Sequence, residues 1–445
     1  MSVSEVNVAE PRVLLACDEV LDDLVQNKVP FVLYRLPESK EPRLIVQRGN
    51  DVQSITDFKD LSTASGFLMA PFAISERNPM VVIRADESLN GDTEIIEYLL
   101  ERHAKLDAKT AAIQGDKLCF KERVEDNDVV FKRYEAVFNR FSSALKDRLF
   151  DKLVLSRCEK YAYAPFGLFS SFAKACALYP NMTVSVVNSE PTGTWFGATP
   201  EILLKGDGRE FRTMSLAGTM NLACYREELR QKLGLENSAC SESTSKCKVS
   251  AALVEYGLNC QDVAIAIPSL SDWSAKDVEE QGYVTSYIEE VLSRYSDSIE
   301  KSGPKSAAAG PVCHLKTDFT FSIANQQCLG EIIGALHPTP AVCGLPKLEA
   351  YKFIQENEGY DRAYYAGMLG PLNMDGQSAL YVNLRCMQLS KDDTCQSKTI
   401  ASCYIGGGIL RQSDLNSEFK EGSNKVATIL SAVNDDRYQD ALKNS

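Results

Sequence analysis

The sequence predicts a soluble globular protein of mixed α and β structure. Segments with the alternation or β-branched composition of strands are interspersed with segments whose apolar residues recur at helical spacing. Apolar residues make up 44% of the 445 residues and charged residues 24%, a balance that supports a substantial buried core. No internal repeat and no compositional break marks a linker. At this length the chain could form two or three ordinary domains or one large sheet-based domain.

The charge and cysteine content exclude several classes of partner. A formal net charge of −13 would repel nucleic acid and anionic membrane surfaces. The 14 cysteines include no Cys-x-x-Cys and several lie in apolar segments, which is typical of free thiols in a reducing compartment. The first ten residues lack the features of a signal peptide, and no apolar run reaches the roughly 18 residues that cross a bilayer. We therefore expect a cytoplasmic protein with no membrane or nucleic-acid partner.

The first 125 residues contain elements but no catalytic constellation. Strand-like composition occurs at residues 30–36, 43–47, 67–74 and 80–83, and helical spacing at residues 93–111. We expect these elements to belong to the same domain as the rest of the chain.

The next elements present the first two candidate functional residues. Residues 128–149 have apolar residues at helical spacing, and a short strand at residues 152–157 follows. Lys152 opens that strand, where a lysine is most often a solvated edge residue. A helix at residues 166–178 and a strand at 183–188 lead to Glu201, which opens another apolar strand. The carboxyl of Glu201 faces either solvent or a dry pocket.

Residues 336–425 carry the richest pattern, and a helix near residues 325–336 leads into them. Gly406-Gly407-Gly408 follows a strand-like run, so the backbone there can pass close to a ligand and expose N–H groups to an anion. Glu418, Glu421 and Lys425 are spaced i, i+3 and i+7, which places them on one helix face. Carboxylates, a lysine and open amides on one surface suit a metal-bridged anionic ligand, although acidic pairs at this spacing usually decorate a solvated helix.

The combined pattern resembles the chorismate-utilising enzymes, which include isochorismate, salicylate, anthranilate and aminodeoxychorismate synthases. The C-terminal blocks are His337-Pro-Thr-Pro-Ala341, the series Glu358/Arg362/Tyr365/Gly367, Arg385, the glycine triplet, and Glu418-x-x-Glu421-x-x-x-Lys425. Earlier blocks are Lys152-Leu-Val-Leu-Ser-Arg157, Gly-Ala-Thr-Pro-Glu201, Leu-Ala-Gly-Thr219, Lys-Asp277-x-x-Glu280 and Val-x-His314-Leu-x-Thr. Gln281 stands where the family usually has histidine.

The resemblance, which runs from Lys152 to Lys425, implies the architecture. It is an α+β fold in which residues 1–435 form a single large domain of antiparallel β-sheets with helices packed outside, followed by a tail at residues 436–445. Residues 221–272 look longer than the corresponding segment of the family and are expected to form an insertion, which long loops permit at little entropic cost. If this insertion displaced the helix that begins near Asp277, the implied metal site would be lost.

The resemblance also implies roles for individual residues. Lys152 would be the base that activates water and Glu201 the acid that protonates the leaving hydroxyl. Glu280 and Glu421 would bind Mg²⁺ directly, while Asp277 and Glu418 would hold its water ligands. The substrate-binding residues would be Thr219, His314, His337, Ala341, Tyr365, Arg385, Gly406, Gly407, Gly408 and Lys425.

Isochorismate synthase is the first expectation among the family's reactions. The ammonia-using enzymes typically have Gly-Thr where this chain has Pro340-Ala341, and they generally lack a lysine in the place of Lys152. We therefore expect chorismate as substrate, water as nucleophile, a monomer and no glutaminase partner. Salicylate synthase comes second, and a component of an amine-forming synthase third. A further alternative is a chorismate-binding protein that no longer catalyses. It would be disabled by the long segment at residues 221–272 or by Gln281 and Cys343, which depart from the family pattern. Whether the pathway served is menaquinone or siderophore synthesis stays open.

Overall fold

A computed structural model describes residues 11–37, 39–106, 120–232, 265–309, 312–392, 395 and 398–433. The expected tail at residues 436–445 and the greater part of the expected insertion, residues 233–264, lie outside the described residues. Within them, the predicted α+β fold with antiparallel sheets and outer helices is confirmed.

Two large antiparallel sheets form the framework. Sheet A has the strand order β15-β8-β19-β18-β10-β9-β1-β2-β6, with β7 also pairing with β8, and sheet B has the order β13-β14-β12-β11-β17-β16-β4-β5-β3. The strands are β1 Phe31–Arg35, β2 Arg43–Val46, β3 Gln53–Ile55, β4 Gly66–Ala70, β5 Met80–Ile83, β6 Glu87–Asn90, β7 Phe120–Arg123, β8 Lys152–Ala164, β9 Thr183–Ser189, β10 Gly193–Thr199, β11 Ile202–Gly206, β12 Glu210–Asn221, β13 Ile299–Ala309, β14 Val312–Ser322, β15 Gly344–Leu345, β16 Met368–Leu372, β17 Ser378–Val382, β18 Cys386–Lys391 and β19 Thr399–Ile409.

Nine α-helices surround the sheets in the described part of the chain. They are α1 Pro11–Gln26, α2 Asp92–His103, α3 Asn127–Lys146, α4 Leu168–Leu178, α5 Leu222–Lys232, α6 Ala275–Leu292, α7 Leu329–Leu336, α8 Lys347–Asn357 and α9 Leu415–Ser431. Among these helices, none has both the length and the apolar character that a membrane span requires.

The alternation of side chains along β1 shows why sheet A is covered on both faces. Val32 and Tyr34 point into a core that also contains β4 and β5, and the Tyr34 ring lies 5.2 Å from the Phe67 ring of sheet B. Phe31 and Leu33 point into a second core, which packs against α1, α2, α4 and α9. The two sheets therefore share one core, and helices bury the other face of sheet A.

Several predicted boundaries differ from the observed ones for local reasons. The helix predicted at residues 93–111 ends at His103, and Ala104 caps it in the αR conformation. The strand predicted at residues 67–74 ends at Ala70, before Pro71, which has no backbone N–H to donate. The strand predicted at residues 152–157 continues to Ala164, because β19 pairs with it over 11 consecutive residue pairs.

Two structural details place functional groups at one end of the sheets. The β8–β19 register pairs Gly406 with Ser156 and Gly408 with Val154. In sheet B, the register of β12 against β14 shifts between Ala217 and Met220, which forms a bulge at Gly218–Thr219. Bulges of this kind re-aim side chains and often lie beside active sites.

Candidate active site

One cavity lies where β8 and β19 of sheet A approach β12 and β14 of sheet B, and its empty space, together with the solvent at its mouth, is about 720 Å³. Helices α6 and α9 and four connecting segments close its remaining sides. Its lining residues are Val154, Pro200, Glu201, Leu216, Ala217, Gly218, Thr219, Glu280, His314, Ala341, Val342, Tyr365, Leu384, Arg385, Tyr404, Ile405, Gly406, Gly407, Gly408, Glu421 and Lys425. The cavity is therefore built from the same blocks that carry the family resemblance.

Other side chains of the site pack directly against the glycine triplet, Gly406–Gly408. A Cβ atom on Gly408 would overlap the carboxylate of Glu280 and would lie 3.1 Å from Cε of Lys152. A Cβ atom on Gly406 would lie 2.5 Å from the Tyr365 hydroxyl. None of the three glycines needs a left-handed backbone, since none has a positive φ. Close approach of functional side chains is thus the reason for glycine at these positions.

Two helices bring four acidic side chains to the glycine triplet. Ser274 caps α6, so Asp277 and Glu280 lie in its first two turns, and α9 carries Glu418 and Glu421 one turn apart. Each glutamate has a lysine partner, and together these residues form what we call the acid–lysine cluster: Asp277, Glu280, Glu418, Glu421, Lys152, Lys276 and Lys425.

Two of the three ion pairs of the cluster join different elements, and the third lies within α9. Nζ of Lys152, whose side chain is fully buried, lies 2.9 Å from Oε1 of Glu280. Nζ of Lys276 donates to Oε1 of Glu418 at 2.5 Å. Nζ of Lys425 lies 2.8 Å from Oε1 of Glu421 and donates to the carbonyl oxygen of Gly406 at 3.1 Å. The cluster therefore offsets most of its own negative charge, which lowers the barrier to an anionic ligand in this acidic protein.

The pKa values of the cluster follow from burial and from these pairs. Burial raises the pKa of Glu418, and Lys276 opposes that change. Burial also raises the pKa of Asp277. For Glu280, burial alone would raise the pKa, but the nearby Lys152 outweighs it and holds the pKa below its ordinary value. Glu280 is thus ionised at neutral pH.

Glu201 borders the same cavity but has no comparable cation in contact. It lies in the connection between β10 and β11, and only 3% of its surface is exposed. Burial raises its pKa from 4.5 to about 7, although the charges of Lys152, Arg385 and Lys425 act in the opposite direction. A carboxyl with this pKa is substantially protonated near neutral pH, as a general acid must be.

Arg385 and His314 form a buried pair on the sheet B side of the cavity. NH2 of Arg385 donates to Nε2 of His314 at 2.7 Å, and Nδ1 of His314 donates to the carbonyl oxygen of Gly218, also at 2.7 Å. Burial lowers the pKa of Arg385 to about 10, so the guanidinium stays charged at neutral pH. An arginine of this kind suits a carboxylate ligand.

The structure gathers most of the predicted site residues around the cavity. Twelve of them line it: Glu201, Thr219, Glu280, His314, Ala341, Tyr365, Arg385, Gly406, Gly407, Gly408, Glu421 and Lys425. Lys152, Glu418 and Asp277 lie immediately behind that lining. Lys152 contacts Glu280, Glu418 approaches Gly407, and Asp277 packs against Gly218.

His337 is the exception. Its Nε2 lies 2.9 Å from the carbonyl oxygen of Pro71, its ring packs against Phe58, and it caps the end of α7. It is not among the residues that line the cavity. The structure thus gives Nε2 of His337 a partner within the protein, and the predicted contact of His337 with substrate stays a prediction.

Two residues of the site went unassigned in the sequence. Lys276 precedes Asp277 and closes the ion pair to Glu418 on another helix, a contact that no local pattern reveals. Tyr404 lines the cavity and stacks on Tyr365, with ring centroids 5.6 Å apart. The alternation along β19 contained this signal, because Tyr404, Gly406 and Gly408 share one face of the strand.

The donor set fits Mg²⁺ by its chemistry. Four carboxylates supply the oxygen ligands that this ion prefers. Oε2 of Glu418 is buried without a hydrogen-bond partner, and it approaches Gly407 beside Oε1 of Glu421. Within the described residues, no three acidic, histidine or cysteine side chains converge closely enough to hold a metal by themselves. Water or substrate oxygens would have to complete the coordination, as is usual for Mg²⁺.

Comparison with known proteins identifies the family. The family described as "Chorismate binding enzyme" matches residues 50–234 and 269–434. The chain belongs to this family. The unmatched interval between the two stretches overlaps the expected insertion. In the structure, α6 brings Glu280 to the cavity, so this helix is not displaced from the site.

Individual relatives narrow the comparison. The vibriobactin-specific isochorismate synthase of Vibrio cholerae is 34% identical over 162 residues, which cover 36% of this chain and 39% of the relative. The isochorismate synthase EntC of Escherichia coli K12 is 27% identical over 239 residues, covering 54% of this chain and 50% of the relative. The chain thus spans half or less of the length of these two relatives.

The solved structure of MenF, the menaquinone-specific isochorismate synthase from Escherichia coli, superposes with a TM-score of 0.61. The match covers 91% of this chain and 88% of MenF, at 18% identity. At that identity the likeness shows the fold alone.

Proposed function

We propose that the protein is an isochorismate synthase that converts chorismate to isochorismate. The observation that carries this proposal is the pairing, at one cavity, of a buried amine and a buried carboxyl that is protonated near neutral pH. Lys152 packs behind Gly408, and Glu201 lines the cavity close enough to Lys152 for their charges to interact. The names of the relatives in Vibrio cholerae and Escherichia coli support the same reaction.

The reaction has two proton transfers that these groups would perform. Water adds at C2 of the ring while its proton passes to the neutral amine of Lys152. The ring double bonds shift, and the C4 hydroxyl departs with a proton from Glu201, so that one water enters and one leaves. Each such positioned acid or base typically contributes about 10²–10⁴-fold to the rate.

The amine must be neutral to act as the base. Nζ of Lys152 lies 2.9 Å from Oε1 of Glu280, so this carboxylate is placed to exchange a proton with the amine before water is activated. The requirement for a base within hydrogen-bond reach of the water explains why a lysine stands at the cavity end of β8 rather than at an exposed edge.

Substrate binding follows from the remaining groups. Arg385, Tyr365, Lys425 and the backbone amides of the glycine triplet would hold the side-chain carboxylate of chorismate. The oxygen ligands from Glu280 and Glu421, with Asp277 and Glu418 behind them, would hold Mg²⁺. When bound, Mg²⁺ would supply positive charge that neutralises the ring carboxylate.

The structure also bears on the amine-forming and non-catalytic alternatives. Ala341, the residue that distinguishes this chain from the ammonia-using enzymes, lines the cavity. Gln281 and Cys343, the two departures from the family pattern, are buried outside it. The amide nitrogen of Gln281 donates to the hydroxyls of Ser215 at 2.8 Å and Thr317 at 3.1 Å. Both departures therefore belong to the packing behind the site, which argues against a non-catalytic protein. Ala341 in the lining favours water over ammonia as the nucleophile.

A product assay tests the proposal. The purified protein is incubated with chorismate with and without Mg²⁺, and again with an ammonium salt, and the products are separated and identified. We expect isochorismate alone, and only when Mg²⁺ is present. Salicylate with pyruvate would assign the second reaction of the family, and an aminated product would assign the ammonia-using one. Binding of chorismate without turnover would refute the proposed activity and would show that the protein is a non-catalytic chorismate-binding protein.

A further inference from the structure

The bulge on β12 lies opposite the histidine that contacts Arg385. Residues Gly218 and Thr219 form the extra length of this bulge, and His314 on β14 lies between the paired residues on either side of it. Gly218 has a φ of +67°, a conformation that favours glycine. The carbonyl oxygen of Gly218 points at the His314 ring, 2.7 Å from Nδ1. The imidazole therefore fixes the direction of the bulge.

Both ring nitrogens of His314 are used by the protein itself. A guanidinium can only donate, so Nε2 must accept from Arg385. A carbonyl oxygen can only accept, so Nδ1 must carry the proton. The ring is thus neutral in a single tautomer. Burial, together with the charges of Arg385 and Lys425, lowers the pKa of His314 to about 3, which keeps this arrangement over the working pH range.

The backbone of Arg385 places its side chain in a buried position beside the cavity, where a neutral acceptor such as His314 can orient the guanidinium. The φ of Arg385 is +47°, unusual for a residue with a side chain, and its carbonyl oxygen accepts from the N–H of Ala198. Its side chain is buried and reaches the cavity beside Met182, whose sulfur lies 3.6 Å from NH1. A charged acceptor at NH2 would neutralise the guanidinium before an anion arrived. A neutral imidazole orients the group without placing a negative charge beside it.

The His314 ring also connects Arg385 to the start of helix α6. A Cβ atom on Gly218 would lie 3.0 Å from Cβ of Asp277, so the bulge packs directly on the start of α6. Thr219, which follows Gly218, lines the cavity. His314 therefore holds Arg385 on one side and the segment that supports Thr219 and Asp277 on the other.

We propose that His314 is a positioning residue for the proposed reaction: its Nδ1-protonated ring aims Arg385 at the carboxylate of the substrate and sets the Gly218–Thr219 bulge that faces it. This inference rests on the proposed function for the identity of the anion. It assigns His314 neither a proton transfer nor a direct contact with substrate.

Two isosteric variants separate the two contacts of the ring. His314→Gln retains an acceptor near the position of Nε2, whereas His314→Asn retains a donor near the position of Nδ1. With chorismate and saturating Mg²⁺, we expect Asn to raise KM by about 10- to 100-fold, the range typical of a lost hydrogen bond to a charged group, with kcat within about threefold of the wild type. Gln should raise KM by less than about fivefold. A fall in kcat at unchanged KM in both variants would show acid–base chemistry instead, and equal losses that follow the melting temperature would show a merely structural role.

The ring tautomer gives a readout that does not depend on turnover. With ¹⁵N-labelled histidine, only His103, His314 and His337 contribute signals. We expect protonated Nδ1 for His314 from pH 5 to 8, and protonated Nε2 for His337, whose Nε2 faces the Pro71 carbonyl. In Arg385→Met, the Nε2 signal of His314 should shift while His337 is unchanged. A protonated Nε2 in His314 would overturn the inference.

The order of the measurements keeps the two proposals distinct. Wild-type turnover of chorismate is measured first, and its absence would refute the proposed function. The tautomer experiment would then still decide whether His314 orients Arg385, whatever anion the site binds.

Discussion

Two sets of buried charges contact β8 within five residues of each other, and they are built differently. One is the Glu358–Arg362 pair. Arg362 makes four hydrogen bonds, two to Glu358 and one each to the carbonyl oxygens of Val342 and Val154. Glu358 also accepts from the backbone N–H and the hydroxyl of Ser156. Its two oxygens thus accept four hydrogen bonds in total.

The other set, the acid–lysine cluster, is less completely satisfied. Oε2 of Glu418 has no hydrogen-bond partner, although the residue is only 6% exposed. Asp277 and Glu418 have raised pKa values, which means that the site holds them where their charged forms are disfavoured. A buried polar group without a partner is costly unless a ligand completes it. The saturated pair has the contacts of a scaffold, whereas the incomplete cluster is where we propose that a ligand binds. Substitutions in the two sets should therefore have opposite effects on stability and on activity.

The largest expected effect is on catalysis. Lys152→Ala and Glu201→Gln should each lower kcat for chorismate by about 10²–10⁴-fold, because each removes one proton-transfer group. Both variants should stay folded, since water in the cavity can reach the groups left behind. Steady-state kinetics and circular dichroism measure the two properties. Lys301→Ala and Glu289→Gln, from an exposed ion pair, are matched controls that should retain full activity. Near-normal turnover in Lys152→Ala or Glu201→Gln would refute that residue's role.

The scaffold pair should show the reverse signature. Arg362→Met leaves the buried carboxylate of Glu358 without its cation and removes a donor from each of two backbone carbonyls, and we expect it to lower the free energy of unfolding by about 3–5 kcal/mol. Urea denaturation measures this change. Arg294→Met, which breaks an exposed pair with Glu290, should cost no more than about 0.5 kcal/mol. Equal losses in the two variants would show that the Glu358–Arg362 pair is not a scaffold.

The pH dependence of stability sharpens the comparison for Glu201. Its pKa in the folded protein is raised from 4.5 to about 7, so the folded state binds more protons than the unfolded state between these values. The stabilisation that this provides is complete below pH 4.5 and is lost as the pH rises through 7. Relative to the wild type, Glu201→Gln should therefore gain up to about 3 kcal/mol in free energy of unfolding between pH 4.5 and 8. The wild-type kcat should also fall above pH 7, as the acid ionises. A stability difference that does not change with pH would contradict the assignment.

The smallest effect concerns the hydroxyl that supports the scaffold. Ser156→Ala removes the hydrogen bond of 2.8 Å to Glu358 and the contact of 2.6 Å with the Tyr360 hydroxyl, while the backbone N–H of residue 156 still donates to Glu358. We expect a loss of about 1 kcal/mol in the free energy of unfolding and unchanged kcat. Ser293→Ala, at an exposed helix end, should cost less. A fall in kcat without a loss of stability would move Ser156 from the scaffold to the active site.

Local patterns in the sequence predict many of the residues of the candidate site, but they do not predict which side chains contact each other. The spacing of Glu418, Glu421 and Lys425 predicts one helix face, and the glycine triplet predicts a close approach, because both properties depend only on neighbours along the chain. The contact of Lys276 with Glu418 joins residues 142 positions apart, and that of Arg385 with His314 joins residues 71 apart. Such contacts depend on how the two sheets pack, which periodicity does not encode. His337 illustrates the same limit, since its motif gave no sign that Pro71 occupies its ring nitrogen.

The most direct test of the central claim is to run the reaction in ¹⁸O-labelled water and determine the position of the label by mass spectrometry and NMR. If Lys152 activates a water that adds at C2 while Glu201 protonates the departing C4 hydroxyl, the isochorismate formed will carry one ¹⁸O atom, in its C2 hydroxyl. Product with an unlabelled C2 hydroxyl, or no product with Mg²⁺ present, would contradict the account.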